Sequence, residues 1–169
     1  MAKIQYSKMM VHELLELISK DKTVVDDLKT NCRFVFDALR TLMYYGYEET
    51  VKFVLPDTDP PYTPDNSPDG MSPESLIYVI RKGRLEYFTS KKNIQKIRRE
   101  QIFIQTLERI NHKEAKILLA VKDQNLVKLY PSLTAEYLMD CGLLPFELTF
   151  RKNQTTTSKN FENQTKKID

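Results

Sequence analysis

From Ser7 to Lys20 the apolar residues Val11, Leu14, Leu15 and Ile18 recur at three- and four-residue spacing, which places them on one face of a helix. Thr23 and Asp26 have the spacing of a capping box, in which a hydroxyl and a carboxylate satisfy free N–H groups at a helix start. The helix they open is predicted to run through Leu28, Cys32, Val35, Phe36, Leu39 and Met43 and to close at Gly46, which adopts the left-handed backbone readily. A short helical stretch follows through Val51, Phe53 and Val54. Ser72-Pro73-Glu74 supplies an N-cap hydroxyl, a first-turn proline and an acid facing the helix dipole, so a helix restarts there with Leu76, Ile77, Ile80 and Leu85 toward the core. The next helix, Lys91 to Ile110, directs Ile94, Ile97, Ile104, Leu107 and Ile110 inward. Asn111 caps another that buries Ala115, Leu118, Leu119 and Val121. After a loop from Asp123 to Leu133, Thr134 caps a last short helix ending at Gly142. The predicted fold class is all-α, a single multi-helix domain over residues 1–150.

The helical pattern stops between Pro56 and Pro73, where six of the eight prolines fall. Missing N–H donors and fixed φ angles predict a long irregular loop, 56–73, of the kind that is functional or mobile. Residues 151–169 are mostly Asn, Gln, Thr, Ser and Lys and are predicted to be a disordered basic tail, because they have too little apolar surface to offset ordering entropy.

Charge adds a division that hydropathy does not show. The net charge of +3 matches that of the tail, so the body is neutral. Within it, residues 48–74 carry seven acids (Glu48, Glu49, Asp57, Asp59, Asp65, Asp69, Glu74) against Lys52. Residues 81–99 carry eight bases (Arg81, Lys82, Arg84, Lys91, Lys92, Lys96, Arg98, Arg99) against Glu86. With Lys92, Lys96 and Arg99 at i, i+4 and i+7 on one helix face, this band has the layout of a surface that follows a phosphate backbone. The acidic loop either lies away from such a duplex or folds over the band as a phosphate mimic. Tyr87 and Phe88, beside the band, are expected in the core. Cys32 and Cys141 are far apart and predict small buried thiols in a reducing compartment rather than a disulfide. With no stretch of about 18 apolar residues and no signal-peptide layout at the start, the expected location is the cytoplasm.

Catalysis is tested by elimination, and the expectation is that this is not an enzyme. Gly46, Gly70, Gly83 and Gly142 are isolated, so no Gly-rich loop cradles a phosphate. His12 and His112 have no ligand-spaced Cys or carboxylate, and His12-Glu13 has the character of a surface pair. A calcium loop beginning at Asp57 fails because its fifth and sixth positions are Pro61 and Tyr62. No metal or cofactor is expected.

From Glu100 to Pro145 the order of features is distinctive. A helix with Phe103 and Leu107 precedes Glu114-Ala115-Lys116-Ile117-Leu118-Leu119, then Val121-Lys122-Asp123, Leu129-Tyr130-Pro131-Ser132-Leu133, a short helix and Leu143-Leu144-Pro145. This resembles the N-terminal helical DNA-binding domain of ATP-dependent DNA ligases, particularly the small phage form. The whole chain is also similar to small proteins of T4-like phages of marine bacteria. The ligase family has a glycine in the loop that approaches DNA, whereas this chain has Gln124-Asn125-Leu126-Val127-Lys128; Lys122 and Lys128 would make the phosphate contacts instead. The adenylated K-x-D-G motif is absent. The resemblance implies a ligase-type DNA-binding domain without a ligase, acting in phage replication, repair or transcription in the host cytoplasm. The expected contacts to duplex or nicked DNA are Arg81, Lys82, Arg84, Lys92, Lys96, Arg99, Lys122 and Lys128. The alternative is a protein-interaction adaptor or virion component that docks through the acidic loop and tail.

Overall fold

The computed structural model describes residues 4–145. The predicted tail, 151–169, lies outside the described residues. Seven α-helices are present: α1 Val11–Lys20, α2 Thr23–Asn31, α3 Arg33–Tyr47, α4 Leu76–Arg81, α5 Lys96–Arg109, α6 His112–Lys122 and α7 Ala135–Asp140. Short 3-10 turns occupy Tyr6–Lys8, Glu49–Val51, Arg84–Phe88 and Leu126–Lys128, and the described residues form no strand. The fold is all-α, as the apolar periodicity predicts.

Several boundaries differ from expectation, each for a local reason. The helix expected from Thr23 through Met43 is two helices, because Cys32 adopts φ −147° and ψ 65° between them. The cap of α2 is not a Thr23–Asp26 box; the Asp21 carboxylate accepts hydrogen bonds from the Thr23 N–H and hydroxyl. Gly46 does not close α3 but lies within it, where a Cβ would stand 3.6 Å from Val121 of α6. Its small size serves helix packing rather than a turn. The stretch after α3 forms only the Glu49–Val51 turn, with Phe53 buried and Val54 exposed. Ser75, not Ser72, caps α4 by accepting the Tyr78 N–H.

α5 starts at Lys96, five residues later than the predicted Lys91, and of the expected inward stripe Leu107 and Ile110 are buried whereas its N-terminal part is phased differently. Phe103, Thr106 and Leu107 are buried, followed by Ile110, whereas Ile97 is 70% exposed and Ile104 only half-buried. α5 is rich enough in isoleucine that spacing alone admits more than one stripe; packing chooses the one that includes Phe103. Phe103 meets Phe88 edge-on at 5.0 Å between centroids, Phe88 meets Phe53 at 5.3 Å, and Phe53 meets Tyr45 at 5.6 Å. Such tilted aromatic contacts fill volume and add about 1 kcal/mol each beyond area burial. Asn111 and Thr134 cap α6 and α7 as expected, and Gly142 follows α7 with φ +90°. Cys32 and Cys141 are free thiols, Cys32 buried and Cys141 half-buried.

The centre of the fold is α6, which packs on α1, α3 and α5. Its Glu114 is fully buried and accepts the Val11 N–H of α1 at 3.0 Å and the Leu76 N–H of α4 at 3.2 Å. One carboxylate therefore satisfies the free donors of two helix starts and sits where both helix dipoles favour negative charge. Burial pushes its pKa up, although the two backbone hydrogen bonds oppose the shift.

Glu114→Ala removes the acceptor of two buried N–H groups and is expected to lower stability by about 3–5 kcal/mol in denaturant unfolding. The pH dependence has a definite sign. A raised carboxyl pKa means that the folded state holds its proton at pH values where the unfolded state has lost it. The protein should therefore gain stability relative to Glu114→Gln as pH falls from Glu114's raised value toward the ordinary Glu range. A gap that shrinks on the same acidification would contradict this.

Candidate nucleic-acid interface

The basic band begins at the end of α4, crosses the Arg84–Phe88 turn and enters the first turns of α5. Because α5 starts at Lys96, Lys92 is outside the helix and does not share a helical face with Lys96 and Arg99. The structure divides the expected contacts into two groups. Arg81, Lys82, Lys96 and Lys128 are exposed, and Lys92 is half-exposed. Arg81 lies over the Phe34 ring at 4.7 Å, Lys82 over Tyr78 at 5.4 Å and Lys92 over Tyr87 at 5.4 Å, with Glu86 3.9 Å from the Lys92 ammonium. Tyr87 was expected in the core with Phe88; Phe88 is there, but Tyr87 is on the surface. Lys128 stands on a 3-10 turn that packs against α6.

Three expected DNA contacts are tied into the protein itself. Lys122 is buried, and its ammonium donates to the Pro56 carbonyl at 2.9 Å and to the adjacent Asp123 carboxylate. It fastens the start of the proline loop to the end of α6 and is not on the surface. Arg99 is also buried, donating to the Tyr87 carbonyl at 3.1 Å and the Lys92 carbonyl at 3.0 Å. It holds the 87–92 segment against α5, so its role is to position the band. Arg84 makes a two-pronged contact with Glu74, which also pairs with Arg109 at 3.2 Å. Sequence reasoning could not separate these cations from the exposed ones, because only the folded chain brings their carbonyl and carboxylate partners within reach.

The acidic segment meets the band only through Glu74 at its end, which pairs with Arg84. Among the described residues, no ion pair joins its aspartates to Arg81, Lys82, Lys92 or Lys96. Asp69 instead faces His12 at 3.5 Å and Lys113 at 3.8 Å. The Asp65 carbonyl accepts the His112 N–H, the Thr63 N–H donates to Glu108, and the Glu74 N–H donates to the Arg109 carbonyl. The loop is thus strapped to the corner between α5 and α6. Lys96 lies at the other end of α5, about 20 Å from that corner at 1.5 Å per residue.

His12, expected at the surface, is buried. Asp69 comes beside it from the loop, and potential ligand atoms of His12, Glu13 and Asp69 lie within 4.8 Å of one another. The two carboxylates are already engaged: Glu13 accepts the Met10 N–H, and Asp69 faces Lys113 and Asn111 as well as His12, whose Nδ1 is buried without a hydrogen-bond partner. A cation here would compete with the Lys113 ammonium. Gln124, which stands in the loop where the ligase resemblance has a glycine, adopts φ +52°. Its amide donates to the Tyr45 and Glu48 carbonyls, which holds an uncommon backbone conformation in place. No helix of the described residues is long and apolar enough to cross a membrane.

The Glu74 cluster supplies a test of this division. Hydrogen bonding to Arg84, more than any other cause, holds the Glu74 carboxyl below its ordinary pKa. A lowered pKa contributes stability that is present above the unfolded value and is lost as pH falls through the folded one. Glu74→Gln should therefore lower stability near neutrality by about 1 kcal/mol, a small value because Arg109 is half-exposed and screened. The gap to the unaltered protein should close below about pH 4. A gap independent of pH would show that the charge of Glu74 does not matter.

No curated protein and no solved structure matches the chain. A family model, described as "Family of unknown function (DUF6433)", matches residues 14–128, from α1 to the turn after α6. The matched region contains the buried Glu114, the strapped loop and the whole basic band, and the chain belongs to this family.

Proposed function

We propose that the protein is a non-catalytic helical module that binds duplex or nicked DNA through its phosphates. The observation that carries this reading is the set of exposed cations Arg81, Lys82 and Lys96 with the half-exposed Lys92, gathered on consecutive segments of a body with no net charge. Lys91 and Arg98, also exposed, extend the set. Arg99 supports the same reading by bolting the 87–92 segment to α5, so that part of the band is held in one geometry before any partner arrives. Pre-ordering lowers the entropy lost on binding. The likeness of 100–145 to ligase DNA-binding domains points the same way, with Lys128 as a further contact and Lys122 as an internal fastener. A role in phage replication, repair or transcription follows from that likeness alone. The adaptor reading draws on the outer edge of the loop, where Met71 is 73% exposed. It would appear as capture of a protein partner that depends on Met71.

Reversing Lys82, Lys92 and Lys96 to Glu together leaves the buried Arg99 and Lys122 untouched and should preserve the fold. Binding to duplexes of unrelated sequence should weaken alike. The slope of log affinity against log salt should fall by about three units, near 0.9 for each phosphate contact removed. A folded triple variant with unchanged affinity and slope would remove this surface from consideration.

A further inference from the structure

We infer that the cleft between the Tyr6–Lys8 turn, the start of α3 and α4 holds an unpaired nucleobase, so that the protein engages single-stranded DNA as well as duplex. The inference rests on the DNA-binding reading above and assigns a separate task to a cleft that shares only Arg81 with the exposed band. The cleft has a volume of about 710 Å³, within the usual range for small-ligand sites. Phe34 and Tyr78 line it with Ile77, and these two residues are 39% and 45% exposed. Arg81 lies over Phe34 and Lys82 over Tyr78, and the part of each ring still open to solvent can accept a base by stacking.

The charges of the cleft suit the phosphate that accompanies such a base. Arg81 and Lys8 line it, and among the described residues neither is paired with a carboxylate. The Arg81 guanidinium stacks over Phe34 at 4.7 Å, an arrangement that leaves edge donors available to a phosphate oxygen. Two acids also line the cleft. Glu74 is offset by Arg84 and Arg109, and Glu114 is buried and bonded to two backbone N–H groups. The ring–cation pairing recurs along the adjoining band at Tyr78 with Lys82 and Tyr87 with Lys92. A positive track with interleaved aromatic rings suits a single strand, whose bases offer their faces; an intact duplex keeps those faces stacked inside.

The experiment compares oligo(dT) with a blunt duplex of equal length by fluorescence anisotropy. Variants are the pair Phe34→Ala/Tyr78→Ala, the conservative Tyr78→Phe, and the Lys82, Lys92 and Lys96 reversal. The alanine pair should weaken oligo(dT) binding about tenfold or more while duplex binding stays within about twofold. Tyr78→Phe keeps the ring and should bind oligo(dT) like the unaltered protein. Photo-crosslinking of the unaltered protein to an iododeoxyuridine-substituted strand should place the adduct on Phe34 or Tyr78, a readout that needs no variant to fold. Unchanged oligo(dT) binding by a folded alanine pair, an equal loss on both DNAs, or an adduct elsewhere overturns the inference. If the protein binds duplex alone, the cleft inference fails and the phosphate band stands. If oligo(dT) binds at the cleft and the lysine reversal alters neither DNA, the band reading fails and the cleft stands. Binding to neither DNA removes both.

Discussion

The fold depends on one buried carboxylate. Glu114 stands on the central helix α6, and its two oxygens receive the first N–H groups of α1 and α4. Those helices are far apart in sequence, and neither has a side-chain cap that could replace this contact at the same donor. Burying a charge is costly, and the hydrogen bonds and dipoles of two helix starts offset that cost only in part, so the carboxyl pKa stays raised. The arrangement brings α1 and α4 together beside α6, and the floor of the Phe34–Tyr78 cleft forms at that junction. The stability of the body and the shape of the candidate site therefore share a single anchor.

The proline loop is irregular without being loose. Its backbone lacks a helix or sheet of its own, so its polar groups find partners on the body: Pro56 with Lys122, Thr63 with Glu108, Asp65 with His112 and Glu74 with Arg109. Prolines reduce the conformational entropy that such a segment loses on folding. The loop consequently acts as a strap over the corner of α5 and α6, and Asp69 is positioned against His12 and Lys113 rather than against the basic band.

Cations divide in the same way. Arg99, Lys122 and Arg84 hold segments together through carbonyls and carboxylates, whereas Arg81, Lys82 and Lys92 lie over aromatic rings at the surface and Lys96 is exposed. Both groups carry the same charge in the sequence, yet removing a member of the first disturbs the fold and removing a member of the second alters the surface. The proposed binding surfaces use the second group and rely on the first for their geometry.

Apolar spacing and caps were enough to establish an all-α chain, an irregular 56–73 segment, and the starts of α6 at Asn111 and α7 at Thr134. These features arise from forces acting over a few residues: helical periodicity, side-chain caps and the missing donors of proline. Local signals failed where a distant partner decided the outcome. Ser72-Pro73-Glu74 has the composition of a helix start, but Glu74 is drawn to Arg84 and Arg109 and the cap falls to Ser75. Isoleucine spacing in α5 admitted the wrong stripe until Phe53 and Phe88 received Phe103. The burial of His12, Arg99, Glu114 and Lys122 required partners brought in by the tertiary fold, such as the Pro56 carbonyl 66 residues from Lys122. Sequence alone determined which segments are helical, because that preference is local; the tertiary structure decided which charges are fasteners and which remain free to bind, because a charge becomes internal only when the fold brings it a partner.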